Sequence, residues 1–213
     1  MSLITIRGQL GSGASEVGRQ IADRLQVDYI DRQIISEVAA RLHREERELI
    51  AKEMPLTGFL GRIAEALGTS YVFGEGVAGA YLPILDIPLY DKRYLQAMES
   101  TVRELARTRS LVILGRGSQF ILKGYPGALH VLAVAPLEVR TKRVMKDLNV
   151  DQEVAKLEIL HYDNSQREFF EKHFKVDPEN PAHYDLVINS GRFSIQAAAS
   201  IVVDALSLAF PIT

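Results

Sequence analysis

The sequence predicts an α/β protein with a five-stranded parallel sheet covered by helices on both faces. Three observations lead there. Short apolar segments recur at residues 3–6, 28–30, 111–114, 129–135 and 185–188. Stretches with helical spacing of apolar residues fall between them. The first apolar segment runs straight into a glycine-rich turn and a helical pattern. Strand and helix alternating in this way require parallel strands joined by right-handed crossovers, with ligands beyond the carboxyl ends of the strands. At 213 residues and 47% apolar content, one substantial core and a single domain are expected.

The first strand rests on Leu3, Ile4 and Ile6. Its helix follows from Val17, Ile21 and Leu25, which recur at i, i+4 and i+8 on one face. After the second strand, Asp31 is the expected N-cap of a helix whose face is Ile34, Ile35, Val38 and Leu42. Residues 54–90 then break the alternation. They hold six of the fifteen glycines and three prolines, along with Tyr71, Phe73, Tyr81 and Tyr90, and only 59–67 reads as helical. So long an irregular connection in a compact domain is functional or mobile. A helix capped by Asp91 carries Tyr94, Leu95, Met98, Val102 and Leu105 into the third strand. The fourth strand leads to a helix opened by Pro136 and bearing Val139, Arg140, Arg143 and Val144. Residues 148–183 form a second excursion, polar and helical to about Phe174, then a loop. Two readings stand: a lid, or a solvated helical hairpin with no moving part. The last strand feeds a closing helix from Ser194 to about Leu208.

Composition narrows the functions open to this chain. Its 25 basic and 27 acidic residues nearly cancel, so no global field draws it to nucleic acid or an anionic membrane. It has no cysteine, which excludes disulfides and thiolate metal sites. His43, His130, His161, His173 and His183 show no metal-ligand spacing. No apolar stretch approaches the roughly 20 residues needed to span a bilayer. A cytoplasmic protein acting on small molecules is the expectation, with no nucleic-acid or membrane partner.

The turn after the first strand carries the chemistry. Laid against the phosphate-loop pattern GxxxxGK[ST], Gly8 and Gly13 are the two glycines, Ser15 is the hydroxyl residue, and Ala14 stands where the lysine belongs. Most of such a cradle is backbone N–H and the positive end of the following helix, so it survives the loss of the side chain. Gly8, Gly11, Ser12, Gly13, Ala14, Ser15 and Glu16 are the expected phosphate-contacting stretch. Ser15 is the expected magnesium ligand. The alternative is a glycine-rich turn that only packs tightly.

The loop from Gly8 to Glu16, the tripeptide Gly115-Arg116-Gly117, the helix start Ala135-Pro-Leu-Glu-Val-Arg140 and the segment Tyr184-Asp-Leu-Val-Ile-Asn-Ser190 occur in an order that resembles the cytidylate kinase-like family. That group is similar to the cytidylate kinases among the P-loop nucleoside-monophosphate kinases. The resemblance runs from Ile4 to about Leu206 and is weakest between Pro55 and Leu89. It implies a three-layer P-loop kinase-type fold with a monophosphate-binding insert at about 54–90 and a helical lid at about 148–183. The implied activity is phosphoryl transfer from ATP, with Mg2+, to a nucleoside monophosphate. Arg116 looks like the arginine that grips the acceptor phosphate. Asp31, with Arg32 beside it, resembles the aspartate opening the acceptor-side helix. Arg140 looks like the arginine carried on the helix after the fourth strand, and Arg167 lies one place beyond Gln166, where the family has its lid arginine. The segment 189–192 would lie where related kinases hold adenine.

Two charged parts of a cytidylate kinase are absent. Ala14 replaces the lysine, and Leu114 stands where an acidic residue precedes the Gly-Arg pair. The cytidylate kinase-like family commonly lacks the lysine too, and often has an arginine just after, where this chain has Ser15. Two functions therefore stand: a nucleoside-monophosphate kinase using Arg116, Arg140 and Arg167, or a non-catalytic nucleotide-binding protein. In the kinase reading turnover is slow unless Arg7, Arg19 or a lid arginine reaches in for the lysine. The aromatic and glycine content of 54–90 suits a homodimer surface as well as a substrate pocket.

Overall fold

The computed structural model describes residues 2–31 and 92–210. Its elements in chain order are β1 (Leu3–Gly8), α1 (Ala14–Leu25), β2 (Asp28–Ile30), α2 (Lys92–Thr108), β3 (Leu111–Leu114), α3 (Ser118–Ile121), β4 (Ala128–Val134), α4 (Leu137–Leu148), α5 (Gln152–Phe174), a 3-10 turn (Pro181–His183), β5 (Leu186–Asn189) and α6 (Ile195–Ala209). The expected helix at Ile34–Leu42, the segment 54–90, Arg32 and the Asp91 cap lie outside the described residues. The chain divides into two compact units, residues 1–31 with 105–213, and residues 32–104. Of the second unit the described part is the first stretch of α2, where Arg103 and Glu99 pair at 2.9 Å across one helical turn.

All pairings in the sheet are parallel, in the order β2-β3-β1-β4-β5. From β1 the chain passes to the edge strand β2, returns to β3 beside β1, and then crosses to the other side through β4 and β5. This makes the carboxyl end of β1 the point where strand order reverses, the place where open α/β sheets bind ligands. Register keeps the strand ends level: Gly8 lies opposite Ala133, and the Gly115 amide extends the β1–β3 ladder to the Ile6 carbonyl at 2.8 Å.

β1 is apolar because both its faces are covered. Ile4 and Ile6 are buried against Val17 and Ile21 of α1 and Ala198, Val202 and Leu206 of α6. Thr5 and Arg7 alternate to the opposite face and are also buried. α1 sits close to the sheet through Gly18, where an added Cβ would lie 3.1 Å from Ile6 Cγ2 and 2.9 Å from Tyr29 Cε2. α5 and α6 are capped by Asp151 and Ser194, which accept from the amides of Val154 and Ala197. α1 has Gly13 at its N-cap and no side-chain cap.

Expected and observed elements agree to within a residue or two. β5 begins at Leu186 rather than 185 because Asp185 is used across the sheet: its carboxylate accepts from the His130 amide at 2.7 Å and its own amide donates to the His130 carbonyl at 2.8 Å. Residues 152–174 are one continuous helix. The short helix α3 was not foreseen; four residues are too few to show a period.

His130 is buried, hydrogen-bonded through Nδ1 to Thr5 Oγ1 at 2.8 Å and to the Leu122 main chain. Burial holds its pKa below the ordinary histidine value, with Asp185 and the Leu122 contact acting in the opposite direction. The unfolded chain takes up that proton near pH 6.5 while the folded chain resists it, so stability is complete above this pH and is lost as pH falls below it. Denaturant titrations between pH 7 and pH 5 should show a decline of up to about 1.4 kcal/mol per pH unit from this group. His130→Gln should flatten that slope; an unchanged slope would rule the residue out as its source. At Gly18, an alanine gains helix propensity but must displace Tyr29 or Ile6. A net loss of about 1–3 kcal/mol is expected, read from the urea midpoint.

Candidate phosphate-binding and catalytic site

The turn between β1 and α1 is shaped from outside. Three successive carbonyls are each held by a side chain from another element. Arg140 Nε donates to Leu10 O at 2.7 Å, Arg143 Nη1 donates to Gly11 O at 3.1 Å, and Ser190 Oγ donates to Ser12 O. Both arginines stand on α4, and Ser190 follows the end of β5. Arg143 also donates to Ser190 Oγ at 2.9 Å and to Ser190 O at 2.8 Å, which locks the three residues into one brace. Gly11, with φ of 75°, leaves room for this approach; a Cβ there would lie 2.7 Å from the Arg140 carbonyl oxygen.

The peptide group is planar and trans, so the N–H of each following residue points opposite to the carbonyl before it. Holding the carbonyls of Leu10 and Ser12 toward α4 and β5 turns the amides of Gly11 and Gly13 to the other side. The Ser12 amide closes a turn on Gln9 O at 2.9 Å. Val17 makes the first intrahelical bond of α1, to Gly13 O at 3.0 Å, so the amides of Ala14, Ser15 and Glu16 precede it. Among the described residues nothing accepts from the amides of Gly11, Gly13, Ala14, Ser15 or Glu16. Ser12 Oγ is buried and has no hydrogen-bond partner among the described residues. This donor set fits an anion such as a phosphate.

Ala14 is buried in the core and brings no charge to the loop. Neither arginine that could have reached in does so. Arg7 is buried, donating to Pro178 O at 3.1 Å and Glu179 Oε1 at 3.0 Å, with its guanidinium 5.1 Å from the Phe170 ring centre. Arg19 lies 5.5 Å over the Tyr29 ring.

Ser15 Oγ is hydrogen-bonded to Tyr29 OH at 3.2 Å. Burial pushes the Tyr29 phenol up to about 12, with the Ser15 hydrogen bond and Arg19 pulling the other way and Asp31 adding to the rise. The phenol therefore stays neutral. Ser15 can offer an oxygen lone pair to a metal while its proton goes to Tyr29. Among the described residues there is no group of three histidine, aspartate or glutamate side chains able to hold an ion. A Mg2+ ion, which keeps several waters and takes most of its remaining ligands from phosphate, fits this single hydroxyl better than a protein cage.

Arg116 sits on the loop after β3. Gly115, Arg116 and Gly117 have φ of 65°, 60° and 70°, three left-handed residues in a row. The turn is held by Ser118, whose amide and hydroxyl both donate to Gly115 O, at 3.1 and 2.7 Å. For arginine this backbone conformation costs about 1–2 kcal/mol. Arg116 forms no hydrogen bond or ion pair with the described residues. The Phe174 ring closes over Gly117.

A shared neighbour ties the strand ends together. The Tyr162 phenol on α5 has its pKa raised by burial, lowered by Arg7 and Arg116, and raised by Asp163 and Asp31. Residues ending β1, β2 and β3 and the middle of α5 therefore lie within electrostatic reach of one hydroxyl. Asp31 and Arg116 thus act on the same phenol with opposite signs of charge. The structure gives Arg140 other partners: besides Leu10 O, its Nη2 bonds both Asp163 oxygens at 2.9 and 2.7 Å in a mostly buried pair. Arg167 is exposed and reaches Asn164 Oδ1 at 3.4 Å on its own helix. Sequence reasoning missed Tyr29 and Tyr162, and it named Ser190 only at the end of the segment 184–190 and within 189–192, expected beside adenine, not as a residue bonded to the phosphate loop. Ser190, a hydroxyl directly after a strand end, carried the one signal that could have found it.

A central parallel strand, a glycine turn with free amides and a helix at the reversal of strand order define the P-loop kinase class. The chain belongs to the cytidylate kinase-like family, which it matches over residues 3–192. Curated relatives include a cytidylate kinase of Methanocaldococcus jannaschii, 23% identical across 96% of this chain and 97% of that one. Another, from Methanopyrus kandleri, is 26% identical across 96% and 92%. Among solved structures, an uncharacterized protein from Eubacterium ventriosum superposes with a TM-score of 0.69 at 17% identity, covering 97% of this chain and 99% of that chain. A shikimate kinase from Bacteroides thetaiotaomicron superposes at 0.51 and 12% identity, covering 97% and 98%. These likenesses establish the fold.

The left-handed backbone at Arg116 yields a prediction that separates geometry from charge. Arg116→Gly and Arg116→Ala both lose the guanidinium, but only glycine relieves the φ of 60°. Arg116→Gly should be the more stable of the two by about 1 kcal/mol in urea unfolding. Equal midpoints would mean that the turn carries no strain.

Proposed function

We propose that this protein is a nucleoside-monophosphate kinase of the cytidylate type, transferring the γ-phosphoryl group of ATP to a nucleoside monophosphate with Mg2+. In this proposal it is one cytoplasmic P-loop kinase-like domain with an insert at about 54–90 and a lid at about 148–183. The observation that carries it is the pairing of two features at adjacent strand ends. One is a row of loop amides with no acceptor among the described residues; the other is Arg116, held in a costly turn with no hydrogen-bond or ion-pair partner among them. Strain of this kind persists where the surrounding fold demands it and clusters at functional sites. Membership of the family, and relatives that are called cytidylate kinases, support the same reading.

The amides of Gly11, Gly13, Ala14, Ser15 and Glu16 bind the donor phosphates, with Gly8 and Ser12 forming the floor of the loop. Ser15 is the protein ligand for Mg2+, which when bound offsets the charge of the phosphates. Arg116 grips the acceptor phosphate, with Asp31 and Arg32 on the acceptor side. An acceptor phosphate oxygen attacks the γ-phosphorus, the bond to the bridging oxygen breaks, and its electron pair leaves with ADP. The second pKa of a phosphate monoester is about 6, so the attacking oxygen is already ionised and no general base is needed. Catalysis is then positioning and charge stabilisation. Arg140 and Arg167 complete the charge on the transferring group once they exchange Asp163 and Asn164 for phosphate oxygens. Loss of one such donor typically costs about 10² to 10³ in rate, so a slow kinase is expected.

A second reading is favoured by Ala14 together with the engagement of Arg7 and Arg19 elsewhere. In it the same loop binds a nucleotide without turning it over.

Mg-ATP at 100 times its dissociation constant should raise the melting temperature by about 5 to 10 °C. A coupled assay for ADP with CMP, UMP, AMP and GMP should then find one acceptor that turns over. Arg116→Ala should lower that turnover at least about 100-fold while the nucleotide-induced melting shift persists. Binding without product from any acceptor would select the non-catalytic reading. No melting shift with any nucleotide would sink both.

A further inference from the structure

We infer that Arg143 supplies, from outside the phosphate loop, the positive charge and the brace that a lysine within such a loop supplies, with Ser190 as its anchor. This inference rests on the loop binding donor phosphates, as proposed above. A phosphate loop without its lysine has lost a cation, and two arginines on α4 touch its back. They differ in charge balance. Arg140 is neutralised by Asp163, whose two oxygens lie 2.9 and 2.7 Å from Nη2. Arg7, on β1, is likewise paired with Glu179 at 3.0 Å. Arg143 makes three bonds to neutral oxygens, those of Gly11 O, Ser190 Oγ and Ser190 O, and among the described residues it has no carboxylate within ion-pairing distance. Asp147 is in electrostatic reach; burial first and Glu16 second push its carboxyl up, while Lys146 and Arg143 pull it down. Arg143 thus brings charge that its hydrogen-bond partners do not cancel.

That charge sits at the start of α1. Arg143 Nη1 would lie 3.1 Å from a Cβ placed on Gly13, the N-cap of the helix. A chain of hydrogen bonds carries its polarisation forward. Arg143 donates to Ser190 Oγ, Ser190 Oγ donates to Ser12 O, and the N–H of the same peptide group, on Gly13, faces the anion side. Each bond in such a chain strengthens the next. Arg143 is therefore a positioning residue: it aims and polarises an amide that contacts the phosphate without contacting the phosphate itself.

The test is a set of ADP titrations by calorimetry on the native chain, Arg143→Gln and Ser190→Ala, each with and without Ala14→Lys. Arg143→Gln keeps donors on a shorter side chain but removes the charge. It should weaken ADP binding about ten-fold, comparable to one charged hydrogen bond, and reduce the dependence of affinity on salt. Ala14→Lys should return most of that loss, and its gain should be larger in Arg143→Gln than in the native chain, because the two cations serve one end. A residue that only supported the fold would not be rescued by a lysine in the loop. Ser190→Ala should show the same rescue on a smaller loss, and it carries the test if Arg143→Gln fails to fold. Native affinity in both single variants, or an equal gain from Ala14→Lys in every background, overturns the inference and leaves the phosphate-binding proposal standing. A native chain that does not bind ADP overturns both.

Discussion

The carbonyls of Leu10, Gly11 and Ser12 are held from behind by side chains 130, 132 and 178 residues further along the chain. Because a peptide group is rigid, grasping its oxygen also aims its N–H. The direction of the loop amides therefore depends on α4 and the end of β5 being in place behind them. Glycine permits this arrangement but does not create it. An isolated segment of residues 8–16 would sample many turns; in the folded chain the brace selects the one in which the amides of Gly11 and Gly13 have no acceptor among the described residues.

The same contacts decide which cations remain for a ligand. The chain has many arginines near the strand ends, but the structure directs most of them at protein oxygens. Arg7 reaches Pro178 and Glu179, and Arg140 reaches Leu10 and Asp163. Removing one partner of a buried pair leaves an uncompensated charge, at a cost of about 3–5 kcal/mol, so such an arginine leaves its carboxylate only for another anion. These contacts also join the loop after α5 to β1 and α5 to α4, while the ring contacts of Phe120 with Phe170 and Phe174 at 5.4 Å join α5 to α3. Arg116 differs in having no such partner among the described residues. Its backbone is held in the left-handed region instead, and the residue is half-buried.

Much of the architecture was legible in the sequence because its signals are local. The 3.6-residue spacing of Val17, Ile21 and Leu25, the apolar runs at 3–6 and 129–135, and the caps at Pro136 and Ser194 each lie within a few residues of the structure they specify. The same holds for the glycines at 8, 11 and 13, whose positions announce a tight turn before a helix. The site was legible only as a set of residue types. Arg140 and Arg143 look alike on a helix, one turn apart, and nothing in their spacing separates the one paired with Asp163 from the one with no carboxylate partner. Tyr29 and Tyr162 carry no local signal of a role, since the hydroxyl of Ser15 and the charges of Arg116 and Asp31 reach them only through tertiary folding.

By itself, then, the sequence determined the alternation of strand and helix, the place of the glycine turn and the absence of a cation within it, because periodicity and backbone freedom act over a few residues. Tertiary structure alone decided where each charge points. Whether a guanidinium ends on a carboxylate, on a carbonyl or on nothing is settled by groups that meet from distant parts of the chain, and an ion-pairing distance of a few ångströms has no counterpart in sequence spacing.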